Sequence, residues 1–263
     1  MLLRDWAFLN LPARKYSELK VKQILKTLDS LTRRVAERFP DSGLSAVVSE
    51  LNQVAREIED LLGKLRGPIW ELRVLTISAI LALVGLAIWV IVMTMQLSPG
   101  VNGIADVLQA AESAINELIF LSLAIYFLAS LETRFKRWMT LRSLHRLRSI
   151  AHVVDMHQLT KDPAYLLGHL PPTISSPQRT MTSYQLTRYL DYCSEMLAML
   201  SKLAALHAQY VEDHVVLAAV NDVESLAQGL SNKIWQKIMI LDLASEQEDQ
   251  DRIERIKAEV SKG

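Results

Sequence analysis

The sequence predicts an all-α protein: a two-pass transmembrane helical hairpin with a cytosolic helical bundle or coiled coil formed by its N- and C-terminal helices. The composition favours helices, because half of the residues are hydrophobic, mostly leucine and alanine, and only 6% are aromatic. All eight prolines fall between helical patterns, and the mean hydropathy is positive, which is unusual for a soluble protein. The predicted segments are an N-terminal cytosolic helical hairpin (1–68), a transmembrane hairpin (69–135), a juxtamembrane basic helix (136–162), a Pro/Ser/Thr loop (163–181), a C-terminal cytosolic helical bundle (182–244) and a charged tail (245–263).

Two amphipathic helices are expected in the N-terminal hairpin. Apolar residues step by three and four on both sides of a turn at 39–43, and such spacing gives each helix one apolar seam. The two helices should pack as an antiparallel pair or share a coiled-coil seam with another chain. Residues 1–12 are too short for a secretory signal, so the first span is expected to act as its own targeting signal. The first seam is Val21, Ile24, Leu28, Leu31 and Val35, and the second is Leu44, Val47, Leu51, Val54, Ile58, Leu61 and Leu65.

Two apolar stretches predict the membrane crossings. Residues 74–95 are 22 consecutive uncharged residues, and a helix needs about 20 to cross a bilayer core. The second span is placed at 114–135, around a shorter uncharged core at 118–131. Residues 96–113 are then an external loop. The charged residues of this loop are all acidic, and the next charged residue, Glu117, is acidic too.

Charge distribution sets the predicted orientation. Four basic residues lie in the twenty residues before the first span and six lie between 132 and 148, whereas the connecting segment 96–117 has none. Basic flanks resist translocation, so both termini are expected in the cytosol of a bacterial inner membrane or an equivalent membrane. The partner of the basic flank is expected to be anionic lipid rather than nucleic acid, because the flank adjoins a span. The predicted headgroup contacts are Arg134, Lys136, Arg137, Arg142, Trp70 and Trp138.

The C-terminal part predicts a bundle with a central helix. Thr182 and Gln185 have the spacing of a capping box, which would begin this helix. Two apolar seams follow, one with Leu190 and Leu197 and the other with Tyr192, so burial on two sides is expected. A further helix is predicted from about residue 213, and the zero net charge of the chain hides an acidic excess in this region.

Catalytic and metal-binding patterns are weak. His152, Asp155 and His157 are close in sequence and support one alternative, a membrane-tethered metal hydrolase, but no HExxH-type pair is present. Cys193, the only cysteine, lies on an apolar seam, which indicates a packing role and excludes an intrachain disulfide. We therefore predict no enzyme activity and assign no catalytic residue, cofactor or metal ligand.

A polar stripe in the second span supports another alternative. Ser122, Tyr126 and Ser130 recur every four residues, so they share one side of a helix and could line a pore in an oligomer. Glu112 and Glu117 would surround its external mouth and attract cations. The sequence thus favours a non-enzymatic assembly or interaction module, a scaffold or signal-transmitting protein, that forms homo-oligomers and could bind a cytosolic protein. The alternative is a homo-oligomeric cation channel or membrane-permeabilising effector.

Overall fold

The all-α prediction is confirmed by a computed structural model, which describes residues 18–97, 103–161, 163, 174 and 181–260. No strand occurs among these residues. The helices are α1 (Val21–Arg38), α2 (Gly43–Arg66), α3 (Trp70–Leu97), α4 (Ile104–Leu159), α5 (Ser183–Ala208) and α6 (His214–Val260).

A tight turn separates α1 from α2. Asp41 has a φ of 53°, a left-handed conformation that aspartate tolerates better than most residues. Ser42 then accepts a hydrogen bond from the backbone N–H of Ser45 and so caps the first turn of α2. Asp29 of α1 binds Asn52 of α2 at 2.8 Å and Arg56 at 2.7 Å. These contacts hold α1 and α2 side by side.

The chain divides into two compact units, the first formed by Met1–Asp60 and Leu141–Gly263 and the second by Leu61–Thr140. In the first unit α5 packs against both α1 and α6. The predicted capping box is present, because Thr182 accepts from the N–H of Gln185 while the Gln185 side chain accepts from the N–H of Thr182. Both predicted seams of α5 are buried: the helix buries Leu186, Tyr189, Leu190, Tyr192, Cys193, Met196, Leu197, Met199, Leu200, Leu203, Ala204, Leu206 and His207.

Helix α6 is longer than expected. The helix has a buried apolar seam and runs on to Val260, so it includes most of the segment predicted as a charged tail (245–263). Charged residues at i and i+4 spacing can sustain an exposed helix, and no proline or glycine interrupts this stretch before its end. The buried seam is Val216, Val220, Val223, Ala227, Leu230, Ile234, Ile238, Leu241 and Ala244.

The most apolar parts of α3 and α4 lie in the second unit. Within the described residues, two stretches are long and apolar enough to cross a membrane. They are Gly43–Met93, which contains α2 and most of α3, and Val107–Leu159 in α4. None of the residues in their most apolar windows is buried, which distinguishes them from the core helices of a soluble protein.

The extent of α4 differs from the prediction. It begins at Ile104, so most of the predicted external loop (96–113) is helical, and it continues through the predicted boundary at 135 to Leu159. The predicted juxtamembrane helix (136–162) is therefore the second half of α4. The physical reason is that residues 104–159 contain no proline and no glycine to end a helix.

Candidate functional site

A partly buried polar cluster lies where α3 begins. Glu132 of α4 accepts a hydrogen bond from the backbone N–H of Ile69 at 3.3 Å. The same carboxylate lies 3.2 Å from Nζ of Lys136 and 3.5 Å from Nε of Arg73, and its side chain is only 19% exposed. We call Ile69, Arg73, Glu132 and Lys136 the basal cluster. It fixes the start of α3 against α4.

Lys136 extends the basal cluster to the end of α2. Its Nζ donates to the carbonyl of Gly67 at 2.9 Å and to that of Leu65 at 3.4 Å. The last carbonyls of a helix have no partner within the helix, and a cation there is favoured by the helix dipole. One lysine therefore ties the break between α2 and α3 to α4, and Pro68 lies in that break.

Sequence reasoning did not find the basal cluster. It placed residue 132 inside the predicted second span (114–135) and assigned Lys136 to lipid headgroups. Two features of the sequence pointed toward it. Glu132 and Lys136 have i and i+4 spacing, and an acidic side chain in an apolar segment is expected to have a partner. Neither feature identifies Arg73 or Ile69, which are about sixty residues away in the chain.

The other predicted headgroup residues differ in their surroundings. The guanidinium of Arg134 lies 5.1 Å from the ring centre of Phe127. Trp70 and Trp138 are 67% and 53% exposed, as an interfacial aromatic requires. Arg137 is half-buried, whereas Arg142 is exposed, and both make contacts within the chain. Trp138 stacks on Phe135 with ring centres 5.8 Å apart.

The predicted pore stripe lies on α4, with two of its three residues exposed. The hydroxyls of Ser122 and Ser130 donate to carbonyls of their own helix, at 2.7 and 2.8 Å, so each is satisfied without a neighbouring helix. Ser122 is exposed and Tyr126 is 73% exposed, while Ser130 is half-buried. Glu112 and Glu117 also lie within α4 rather than in a loop; Glu112 is exposed and Glu117 half-buried.

The half-buried side of α4 follows a different stripe. Its members recur every three or four residues, so one side of the helix is covered and the side with Ser122 and Tyr126 is open. This open side would be the one available to another copy of the chain. The half-buried residues from 117 to 131 are the members of this stripe, Glu117, Leu121, Ala124, Leu128 and Leu131, together with Ile125 and Ser130.

The histidines that the structure describes are spread over the first unit. His152 is exposed, and the Nδ1 atom of His157 lies 2.9 Å from the carbonyl oxygen of Val153. His207 is buried, with Nδ1 2.9 Å from the carbonyl oxygen of Leu203 and Nε2 3.0 Å from the hydroxyl of Ser143. Burial lowers the pKa of His207, which favours the neutral ring. Among the described residues no group of three or more His, Cys, Asp or Glu side chains could hold a metal ion.

Arg146 ties α4 to α2 in the first unit. It forms an ion pair with Glu57 and lies 3.9 Å from Glu50, two acids that are seven residues apart and so share one side of α2. The hydrogen bond from Arg146 lowers the pKa of Glu57, and the same bond raises the pKa of Arg146. Each of the two units thus contains a polar contact of α4. In the first unit the contact is with side chains of α2, and in the second it is with the backbone at the end of α2.

Comparison with protein-family models, curated proteins and solved structures finds no match to this chain. No function can be transferred from a relative. The contacts described above therefore carry the functional proposal by themselves.

Proposed function

We propose that the protein is a two-pass integral membrane protein that acts without catalysis. Its cytosolic helical bundle binds a protein partner or further copies of the chain, and α4 transmits the resulting change in packing to the membrane hairpin. The observation that supports this most directly is the continuity of α4. One helix of 56 residues contains both the apolar second span and the core residues Leu144 and Leu147 of the first unit.

A continuous helix is a suitable transmitter because it is stiff along its axis. Every residue of α4 adds about 1.5 Å of rise, so a shift at one end moves the rest unless the helix bends. Bends occur at proline, at glycine or where the helical ladder is interrupted, and α4 has neither of these residues. A displacement at Leu147 should therefore reach the basal cluster at Lys136.

The basal cluster would pass that displacement to α3. Lys136 binds the carbonyls that end α2, and Glu132 binds the backbone N–H of Ile69, just before α3, as well as Arg73 in the first turn of α3. Charge-assisted hydrogen bonds in a partly buried site resist separation more than exposed ion pairs do. Both spans of the proposed hairpin would then respond together.

The proposed topology can be tested by labelling single cysteines in a Cys193→Ala background. Ala111 is exposed near the start of α4, and Gln236 is exposed on α6. We expect Ala111→Cys to react with an impermeant maleimide only from outside and Gln236→Cys only from the cytosolic side. Reaction of both from the same side would overturn the two-pass hairpin.

Transmission can be tested with a spin label at position 70 in the same background and in lipid nanodiscs. Leu147→Ala opens a cavity in the first unit, and the label at Trp70→Cys should change its mobility in response. Adding Lys136→Met should weaken that response, whereas the matched Arg134→Met should preserve it. An identical label spectrum with and without Leu147→Ala would contradict transmission.

A second candidate function is a homo-oligomeric cation channel or permeabilising effector. It is favoured by one observation, the exposure of Ser122 and Tyr126 on the open side of α4. Reconstituted protein should then conduct, and replacing both residues with leucine should change the conductance, while Tyr184→Leu on α5 should not. A monomeric mass in nanodiscs, or silence in planar bilayers, would eliminate this candidate.

A further inference from the structure

An open groove with three arginines lies between α1 and α5. It has a volume of about 360 Å³ and is lined by Arg34, Glu37, Arg38, Arg188 and Tyr192. The pairs Arg34/Arg38 and Arg188/Tyr192 are each four residues apart, so each pair lies on one side of its helix. Because α1 packs on α5, the two sides meet. We call this feature the arginine groove.

Tyr192 forms an aromatic floor for the arginine groove. It is buried, and its ring centre is 5.8 Å from the guanidinium of Arg34 and 5.1 Å from that of Arg188. When a guanidinium group lies against the face of an aromatic ring, its N–H donors point outward in the plane of the guanidinium group. The two arginines are therefore preorganised rather than free to swing through solvent.

The arginines differ in their acidic partners. Arg34 makes a two-bond contact with Glu195, at 2.6 and 3.3 Å, and Arg188 lies 3.0 Å from Asp191. Arg38 lies over the ring of Tyr184, at 6.0 Å, and makes no ion pair among the described residues. The groove lining itself has three positive charges and one negative, and no acidic side chain of the described residues pairs with Arg38.

We propose that the arginine groove binds a small anion with a phosphate group. Phosphate presents paired oxygens that match the two parallel N–H donors of an arginine, and its double charge suits a groove lined by three arginines better than the single charge of a carboxylate does. The volume is at the lower end of the range for small-molecule sites, about 300–1,000 Å³. Arg38 would supply the principal contact and Arg34 a second.

The phosphate could belong to a soluble metabolite or to a lipid headgroup, since both present the same oxygens. The groove lies entirely within the first unit, so binding does not depend on the topology or transmission proposed above. If a ligand occupies the groove, it contacts α1 and α5 together and would serve as an input to the bundle.

The test is calorimetric titration of the full chain in phosphatidylcholine nanodiscs with inorganic pyrophosphate at constant ionic strength. We expect saturable binding to one site. Arg38→Gln should weaken it by about 10- to 100-fold, the loss expected for a hydrogen bond to a charged group. The matched Arg33→Gln, an exposed neighbour on α1, should leave it unchanged, and Glu195→Gln should strengthen it by releasing Arg34.

Competition then identifies the source of the phosphate. Glycerol phosphate displacing pyrophosphate better than dihexanoyl phosphatidic acid supports a soluble ligand, and the reverse order supports a lipid headgroup. Absence of heat with pyrophosphate, or equal weakening by Arg33→Gln and Arg38→Gln, would overturn the proposal. If the same preparation gives the expected cysteine labelling and the expected spin-label response, the proposed function stands although the phosphate site does not.

Discussion

Replacing Gly43 with alanine should destabilise the protein, although alanine is the better helix former. Gly43 is the first residue of α2, and a Cβ atom there would lie 2.8 Å from Cδ2 of His157 and closer still to Nε2. Rotating the imidazole away would break the contact between its Nδ1 atom and the carbonyl oxygen of Val153, which are 2.9 Å apart. The position of the His157 ring at the start of α2 therefore favours glycine at residue 43.

The magnitude follows from two opposing effects. Overpacking costs about 1–3 kcal/mol, and glycine to alanine in a helix gains up to about 1 kcal/mol, less at a first position such as 43. We expect a net loss of about 1–2 kcal/mol in the free energy of unfolding. Gly63 and Gly229 are helical, and within the described part of the chain no neighbouring side chain or other helix comes within 4 Å of where their Cβ atoms would lie. The same change there should gain about 0.5–1 kcal/mol.

The assay is thermal unfolding followed by circular dichroism in nanodiscs. A change of 1 kcal/mol corresponds to about 2–4 °C for a chain of this size, so Gly43→Ala should lower Tm while Gly63→Ala and Gly229→Ala raise it. The double variant Gly43→Ala/His157→Ala should recover much of the loss, because the clashing ring is gone. A Tm for Gly43→Ala as high as that of the two control variants would refute the steric reasoning.

Three further predictions concern the first unit. Burial lowers the pKa of His207 below 6.5, so the unfolded chain takes up the proton before the folded protein does. The free energy of unfolding should therefore fall as the pH drops below about 6.5. His207→Asn should flatten this dependence of Tm on pH, and His152→Asn should not. Thr182→Ala removes the capping box and should cost about 1 kcal/mol by chemical denaturation, whereas Ser183→Ala should change stability by less than about 0.5 kcal/mol. Burial raises the pKa of Cys193 to about 12, so maleimide should label it at pH 8 only after unfolding, and rapid labelling of the folded protein would contradict its burial.

Periodic apolar residues made most of the helices predictable. The α5 prediction was the most specific, because two seams on one helix imply burial on two sides, and Leu190 and Tyr192 from different seams are both buried. The capping box at Thr182 was predictable for a local reason, since its partner is only three residues away. Features set by neighbouring residues could thus be derived from the sequence.

Helix ends in the membrane region could not be derived in the same way. An uncharged stretch marks the residues that suit hydrocarbon, but a helix can continue beyond them into water. The predicted boundaries at 113 and 135 followed charge, whereas α4 continues through both of them from Ile104 to Leu159. The absence of glycine and proline was the better guide to where this helix ends.

Contacts between distant helices were also beyond sequence reasoning. Arg146 pairs with Glu57, 89 residues away, and Glu132 binds the backbone of Ile69, 63 residues away. Periodicity shows which side of a helix is apolar, but it does not give the axial register between two helices. The basal cluster and the arginine groove both depend on that register, so neither could be predicted.

The basal cluster also affects how many basic residues are available to contact lipid and set the predicted orientation. Ten basic residues flank the predicted spans, and the cluster directs two of them, Arg73 and Lys136, toward Glu132 rather than toward lipid. Orientation depends on the number of lysine and arginine residues on each side of the membrane rather than on net charge. Without Arg73 and Lys136, the predicted cytosolic flanks still have eight basic residues, and the connecting segment 96–117 has none. The predicted orientation therefore does not require Lys136. This separates the two roles, because Lys136→Met should leave the labelling of Ala111→Cys unchanged while weakening the response of the label at position 70.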